Sequence, residues 1–159
     1  LAKIGGLGII TQFSEAEDGR YIIVLKGLKR FKVISEEVVS TPYRKAKISY
    51  RGFENDADVH NASQTTEALS GKSGERTTLT IAMKALAKTL NVQIDWKSLG
   101  EIPLPILINQ AAMISPFASE DKQSLIEAVS TDDRRKLLIG LMHLYANKDM
   151  KQDPNKSQQ

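Results

Sequence analysis

The residues of this chain whose types could support nucleotide chemistry are Gly71, Lys72 and Ser73. A phosphate-binding loop has the spacing G-x-x-x-x-G-K-[ST], in which backbone amides surround a phosphate and the lysine contacts it. The first glycine of that pattern would fall at position 66, which is Thr66. Such a loop also follows a buried strand, whereas this stretch follows a polar segment. We therefore expect no nucleotide here, and no other cofactor.

Residues that could bind a metal or act as a nucleophile are also sparse. The chain has no cysteine, and its two histidines, His60 and His143, have no partner at the spacing of metal ligands. Serines are numerous, but a serine nucleophile needs a positioned base, and no spacing in the sequence selects one. The sequence therefore identifies no catalytic or metal-binding residues, and spacing alone leaves a Ser-Lys pair open.

Positive charge is concentrated in residues 26–51. This stretch contains eight lysines or arginines and only two acids, Glu36 and Glu37, although the net charge of the whole chain is +3. Aromatic residues lie between the basic ones, and such a surface can contact phosphates or stack on bases. Arg30, Tyr43 and Arg44 are the candidate binding face. Two interpretations are open: these residues bind a ligand, or they have a structural role, as lysines do on strand edges that must not aggregate.

A β-meander over residues 18–50 must position this face. Two glycine-containing segments, Asp18-Gly19 and Lys26-Gly27-Leu28, lie between apolar runs and predict tight turns. Alternation of apolar and polar residues predicts strands over 7–14, 20–26, 28–35 and 44–50.

Two parts of the meander are expected to be buried. In the first strand, Ile9, Ile10 and Phe13 are the candidate core residues. In the second, residues 21–25 form a continuous apolar run, which is typical of a central strand covered on both faces.

The rest of the chain is predicted to be helical. Leu79, Met83 and Leu86 recur at helical spacing and predict a helix over 76–90. Cap residues and prolines predict a short helical turn over 95–99 and longer helices from 103 to 115, 119 to 129 and about 130 to 147.

Early strands and late helices predict an α+β fold, with an antiparallel sheet followed by a helical bundle. We predict a sheet domain over 1–52, a flexible linker over 53–75, a bundle over 76–147 and a disordered tail over 148–159. No apolar run reaches the length of a membrane span, and no export signal or cysteine is present, so we expect a cytoplasmic protein. Because the chain begins with Leu1, we expect the natural protein to continue upstream.

Short motifs in both halves of the chain carry a family resemblance. The strand region contains Gly8-x-Ile10, Asp18-Gly19-Arg20-Tyr21, Leu25-Lys26-Gly27, Arg30-Phe31 and Pro42-Tyr43-Arg44-x-Ala46. The helical region contains Trp96, Pro116-Phe117, Glu120-x-Lys122-Gln123-x-Leu125-x-Glu127 and Arg134-Arg135. In order and spacing, these motifs resemble the N-terminal substrate-recognition domain of the Lon protease family.

The resemblance implies a PUA-like sheet, here a partial pseudo-barrel, followed by a helical bundle. It implies a non-catalytic module that binds unfolded or extended protein segments, with a protease or chaperone as a further partner. The ATPase and Ser-Lys protease modules of full-length Lon proteins have no counterpart in this sequence, so we expect a stand-alone Lon-domain protein. The alternative is an RNA-binding PUA-like module that uses the basic strand region. We favour the protein-binding hypothesis, and salt dependence distinguishes the two.

Overall fold

The computed structural model describes residues 1–54, 56 and 74–150, except for the side chains of 148–150. The chain divides into two compact units, Leu1–Val59 and His60–Gln159. Among the described residues, the first unit contains three strands and the second contains five helices. The predicted α+β fold, with an open antiparallel sheet followed by helices, is confirmed.

The sheet is formed by β1 (Ile4–Glu15), β2 (Tyr21–Glu37) and β3 (Lys45–Ser49), antiparallel and in the order β1-β2-β3. The turn predicted at Asp18-Gly19 connects β1 to β2. Gly19 adopts a φ of 78°, which a residue without Cβ reaches at low cost. The amide of Arg20 donates to the Asp18 carboxylate at 3.1 Å, so the turn also has a side-chain cap.

The second predicted turn, at Lys26-Gly27-Leu28, is wrong because β2 continues through it. Gly27 lies opposite Gly8, and the next pair joins Lys29 to Leu7, so Leu28 is an extra residue in the ladder. Glycine at this position marks a β-bulge, which shares with a tight turn the preference for a flexible backbone.

The burial predicted for the first two strands is also wrong. Ile9, Ile10 and Phe13 are exposed, and so is the whole apolar run of residues 21–25. The physical reason is the register of the sheet, because β3 pairs only with Lys32–Glu37, at the far end of β2. The half of β2 that carries the apolar run has β1 as its only described partner strand.

Residues just after β3 lie against the sheet. Phe53 is buried, and the guanidinium of Arg30 on β2 lies 4.4 Å above its ring. We predict a flexible linker from 53, yet its first described residues, Phe53, Glu54 and Asp56, contact β2. Positions 55 and 57–73 of the predicted linker lie outside the described residues, so the predicted domain boundaries remain predictions.

The second unit contains α1 (Glu75–Thr89), α2 (Trp96–Gly100), α3 (Leu104–Ile114), α4 (Ser119–Glu127) and α5 (Thr131–Met150). Each predicted helix is found within about three residues of its expected bounds. The last one continues to Met150, past the expected start of the tail at 148, and 151–159 lie outside the described residues.

The core of the described protein lies among these helices. Leu79 on α1 and Leu138 on α5 are fully buried. Trp96 on α2 and Tyr145 on α5 pack against the same cluster from its edge. The buried residues of the cluster are Leu79, Ala82, Met83, Leu86, Leu104, Leu107, Ile108, Ala111, Phe117, Leu125, Leu138, Leu141 and Met142.

Cationic side chains cap the C-terminal ends of the shorter helices, where carbonyl groups lack partners within the helix. The caps join Arg76 to the carbonyl of Leu99, Lys122 to that of Met113, and Arg134 to that of Leu125. The guanidinium of Arg76 also donates to the carbonyl of Ile102.

The helices α1 and α5 are parallel neighbours. At their N-terminal ends, Arg135 is 3.7 Å from the carboxylate of Glu75 and also pairs with Asp132. At their C-terminal ends, the hydroxyl of Thr89 donates to the carbonyl of Ala146 at 3.3 Å. The buried Arg135 therefore joins the first turns of both helices.

Candidate protein-binding surface

Arg30, the first residue of the predicted binding face, is held by contacts within the sheet unit. Its Nε and Nη2 atoms donate to the two carboxylate oxygens of Asp56 at 2.8 and 2.7 Å. The side chains are only 11% and 18% exposed. A two-point guanidinium–carboxylate pair, largely shielded from water, is among the stronger side-chain contacts. Arg30 therefore anchors the segment that contains Phe53 and Asp56 to β2.

Arg44 and Tyr43 are both exposed, and both have partners. The Nη2 atom of Arg44 donates to Glu36 at 2.8 Å, and this contact lowers the pKa of the Glu36 carboxyl and raises the pKa of Arg44. The Lys45 ammonium lies 5.6 Å from the centre of the Tyr43 ring.

The structure does not bring the three predicted residues together. Arg30 lies at one end of the β2–β3 ladder, whereas Arg44 pairs with Glu36 at the other end. The six residue steps along β2 from Arg30 to Glu36 correspond to about 20 Å. As a single binding face, Arg30, Tyr43 and Arg44 remain a prediction.

The most apolar exposed surface of the sheet unit lies on the β1–β2 hairpin, residues 9–26. In an antiparallel pair, residues directly opposite one another point to the same face, as do residues two apart along a strand. Five large apolar side chains share one face by this rule, and each is between 47% and 63% exposed. We call this the hairpin face: Ile10, Phe13, Tyr21, Ile23 and Leu25.

The register and one aromatic contact define the hairpin face. Ile10 lies opposite Leu25, and Phe13 lies opposite Ile23. The rings of Phe13 and Tyr21 stack, with centres 5.2 Å apart and planes 28° apart. The five side chains present an apolar area on the order of 500 Å², which is at the upper end of what monomeric proteins expose.

The other face of the same hairpin is more mixed. It carries Ile9, Ile22 and Val24, all exposed, beside Gln12 and Lys26. In β2, the apolar side chains of the hairpin therefore lie on both faces of the sheet, whereas in β1 they lie mainly on one face.

Among the described residues, one edge of β2 has no strand partner over residues 21–27. On that side, β3 pairs only with Lys32–Glu37, and the Asp56 carboxylate accepts from the amide of Arg30 at 3.0 Å. The described residues provide no strand partner for the part of the edge nearer the turn. A two-stranded ribbon with unpaired edges is marginally stable in water, so this surface favours contact with another polypeptide.

Comparison with known protein families finds a match. The family model of the ATP-dependent protease La (LON) substrate-binding domain matches residues 1–143 of the 159-residue chain. The chain belongs to this family. A search of individual curated proteins finds no match. At the family level, the protein contains a substrate-recognition module, and a Lon substrate-binding domain implies protein substrates.

The motifs by which the sequence resembles Lon domains have structural roles. In the helical unit, Phe117 packs edge-on against Tyr145 with ring centres 4.9 Å apart. The Tyr145 hydroxyl donates to Asp121 at 2.6 Å and accepts from the amide of Ala118, and the contact with Asp121 raises the pKa of Tyr145. Arg134 donates to Asn109 at 2.7 Å. These residues of the Lon domain stabilise the bundle rather than form an exposed site.

Other candidate chemistry gains no support from the described part of the Lon domain. It contains no group of three or more histidine, cysteine or acidic residues placed to hold a metal ion. His143 is exposed on α5, while His60 and Gly71-Lys72-Ser73 lie outside the described residues. Among the described helices, none is long and apolar enough to cross a membrane.

The hairpin face was missed by reasoning from sequence because its residues were predicted to be core. The available signal was the continuous apolar run of residues 21–25. Such a run identifies a strand that needs cover on both faces, but it does not identify what provides the cover.

Proposed function

We propose that this Lon domain is a non-catalytic module that binds unfolded or extended protein segments through the hairpin face and acts beside a protease in the cytoplasm. The observation that supports the proposal is the set of five large apolar side chains on one face of the β1–β2 hairpin, each about half exposed or more. An unfolded substrate exposes apolar side chains of its own, and their burial against this face supplies the binding free energy.

The RNA-binding alternative rests on the basic residues of 26–51. Four of the eight basic side chains contact groups of the same unit, which reduces the charge available for phosphates. Lys29 donates to the carbonyl of Glu54, Arg30 pairs with Asp56, Arg44 pairs with Glu36 and Lys45 lies over the Tyr43 ring.

Binding measured at several salt concentrations tests the proposal. The probes are a labelled protein that has been reduced and alkylated so that it cannot refold, chosen for a net charge near zero, and a labelled single-stranded RNA. We expect affinity for the unfolded protein to change less than about twofold between 50 and 200 mM salt. An RNA complex with four phosphate contacts would lose about 50-fold over the same range. Tight, strongly salt-dependent RNA binding without unfolded-protein binding would overturn the proposal.

A matched pair of variants locates the surface. Phe13→Glu places a charge in the hairpin face and removes a large apolar group, so affinity for the unfolded protein should fall about 10- to 100-fold. Met113→Glu is the control, because Met113 is 70% exposed on α3 in the helical unit. Equal losses for both variants would contradict binding at the hairpin face.

A further inference from the structure

One face of α1 combines two lysines with an exposed apolar residue. Ile81, Lys84 and Lys88 recur at intervals of three and four residues, so they lie on the same side of the helix. All three are exposed, and Ile81 is 56% exposed. Because lysines are rarely buried, this face belongs to the surface of the protein. We call it the α1 face: Ile81, Lys84 and Lys88.

The helix α2 adds an aromatic ring beside this face. In the first turn of α1, Arg76 donates at 3.1 Å to the carbonyl of Leu99 near the end of α2, so the two helices lie next to each other. At the start of α2, the ring of Trp96 lies with its centre 5.4 Å from the Lys84 ammonium. Trp96 is half-buried and packs against the helical core. The indole ring is therefore held in place beside Lys84.

The two lysines of the α1 face have no compensating acid on their own helix. Glu75 is the only acid of α1, and it lies 3.7 Å from Arg135 at the other end. Lys84 and Lys88 are four residues apart, a spacing at which like charges destabilise a helix. The helix dipole offsets this for Lys88, which lies in the last turn, but not for Lys84. Neither lysine forms an ion pair with a residue that the structure describes, so the α1 face has a net positive charge.

The acid next to Trp96 in the chain, Asp95, is held by a different contact. Its carboxylate accepts from the amides of Lys97 and Ser98 at 3.0 and 3.2 Å, and also from the Ser98 hydroxyl. Asp95 therefore caps the start of α2 and does not pair with Lys84.

We propose that the α1 face and Trp96 bind an acidic helix of a partner protein, which places two carboxylates on Lys84 and Lys88 and a large apolar side chain on Ile81. Along the axis of α1, Lys84 lies about 4.5 Å from Ile81, and Lys88 lies about 6 Å further on. A partner helix with an apolar residue and two acids at positions i, i+3 and i+7 matches this spacing. The α1 face shares no residue with the hairpin face, so this inference goes beyond the proposed function and does not rest on it.

An anionic membrane is the other ligand that a basic and apolar face can contact. Segments that bind anionic lipids carry about four to eight lysines or arginines, whereas the α1 face carries two. Trp96, the side chain that would enter the headgroup region, packs against the helical core instead. A polypeptide with two matched acids is therefore favoured over a membrane.

A peptide titration tests the binding. The probe is an alanine-based helical peptide without tryptophan, labelled with fluorescein, in which leucine and two glutamates occupy positions i, i+3 and i+7. Fluorescence anisotropy with the whole chain measures the affinity, and the emission of Trp96, the only tryptophan, reports contact at the site. We expect a Kd below about 1 mM at 50 mM salt, weakened about threefold at 200 mM. A peptide with the leucine and the glutamates on different faces should bind at least fivefold more weakly.

Charge reversal tests the role of the two lysines. The double variant Lys84→Glu/Lys88→Glu should lose the acidic peptide at least tenfold and should bind a peptide in which both glutamates are replaced by lysines. The matched control is Lys26→Glu/Lys47→Glu, which makes the same change in net charge on exposed residues of the sheet unit. This control should leave binding within twofold. Lys84→Glu alone places an acid four residues before Lys88, which favours the helix, so its binding should fall while its urea midpoint does not.

The outcomes separate this inference from its alternatives. Absence of saturable binding, or equal losses for the two double variants, overturns it. If the α1 double variant abolishes sedimentation with phosphatidylserine vesicles while the peptide never binds, the face contacts a membrane and the inference is overturned. If light scattering finds a dimer that only this double variant dissociates, a second copy of the chain occupies the face, which also overturns it. Phe13→Glu should leave the acidic peptide bound, and an equal loss there would place the peptide at the hairpin face instead.

Discussion

The helical unit has a buried apolar core, although Met113 and Ile114 at its surface are exposed, whereas the β1–β2 hairpin exposes every large apolar side chain it carries. Among the described residues, every buried apolar side chain except Phe53 belongs to the helical unit. Leu79 and Leu138 have no exposed surface, while Phe13 and Tyr21 are 63% exposed. The helices therefore bury their core side chains against one another, whereas the apolar side chains of the hairpin need a partner to cover them.

Charge distribution follows the same division. In the helical unit, cations are placed where the fold needs them, on the carbonyls at the ends of α2, α3 and α4 and between α1 and α5. In the hairpin, residues 21–25 carry no charge at all, and Lys26 has no ion-pair partner among the described residues. Under the proposed function, stability and recognition therefore belong to different units of the chain.

The largest expected effect tests the burial difference itself. Leu138→Ala removes a fully buried side chain from the helical core and should lower the free energy of unfolding by about 2–5 kcal/mol. The fluorescence of Trp96, the only tryptophan, reports urea unfolding of this core, against which it packs.

The control for this experiment lies in the hairpin. Ile23→Ala shortens an exposed side chain and should cost less than about 1 kcal/mol, since only its cross-strand contacts are lost. If Ile23→Ala lowered the free energy of unfolding as much as Leu138→Ala does, the hairpin would have to be covered. The difference in burial between the two units would then be contradicted.

The next effect concerns the contact between α1 and α5. Arg135→Ala leaves Glu75 and Asp132 without their shared cation, and should lower the free energy of unfolding by about 1–3 kcal/mol. The neighbouring Lys136→Ala is the matched control, because its pair with Asp132 is exposed to water and should contribute much less to stability. Urea titration followed by Trp96 measures both, and similar losses would mean that Arg135 does not join the helices.

Low pH should weaken the ion pairs of Asp132 in the same turn of α5. The ammonium of Lys136 and the guanidinium of Arg135 lower the pKa of Asp132 from 3.8 to about 2. The carboxylate therefore stabilises the folded chain above about pH 4, and this contribution is lost as the pH falls from about 4 towards 2. We expect Asp132→Asn to lower the urea midpoint at pH 7 and to have a much smaller effect at pH 2. A difference that persists unchanged at pH 2 would contradict this role for the charge.

The helical unit was predictable from sequence because its contacts repeat at helical spacing. Leu79, Met83 and Leu86 recur every three or four residues, and each is buried as the spacing predicts. The same spacing predicts a buried Leu90, which is wrong, because α1 ends at Thr89 and Leu90 is exposed. The caps were partly readable too, since Asp95 accepts from the amides of Lys97 and Ser98 at the start of α2.

The sheet was less predictable because its register depends on distant residues. Gly27 suits either a turn or a bulge, and only the pairing with Gly8 decides between them. The role of Arg30 depends on Asp56, 26 positions along the chain, so neither the basic residue nor its aromatic neighbours indicated an ion pair. The exposure of the hairpin was not predictable for the same reason. The composition of a strand shows that it needs cover, but it does not identify the neighbour that provides the cover.

The smallest expected effect tests the predicted face of Arg30, Tyr43 and Arg44 against the hairpin face. Arg44→Ala removes a pair whose side chains are 61% and 42% exposed, so the free energy of unfolding should hardly change. Because Arg44 lies at the far end of β2 from the apolar run, binding of the unfolded protein should also change less than about twofold. A loss of tenfold or more for Arg44→Ala, with Phe13→Glu unaffected, would move the binding surface from the hairpin to the basic residues. The two variants together therefore decide whether the sheet recognises substrates by apolar burial or by charge.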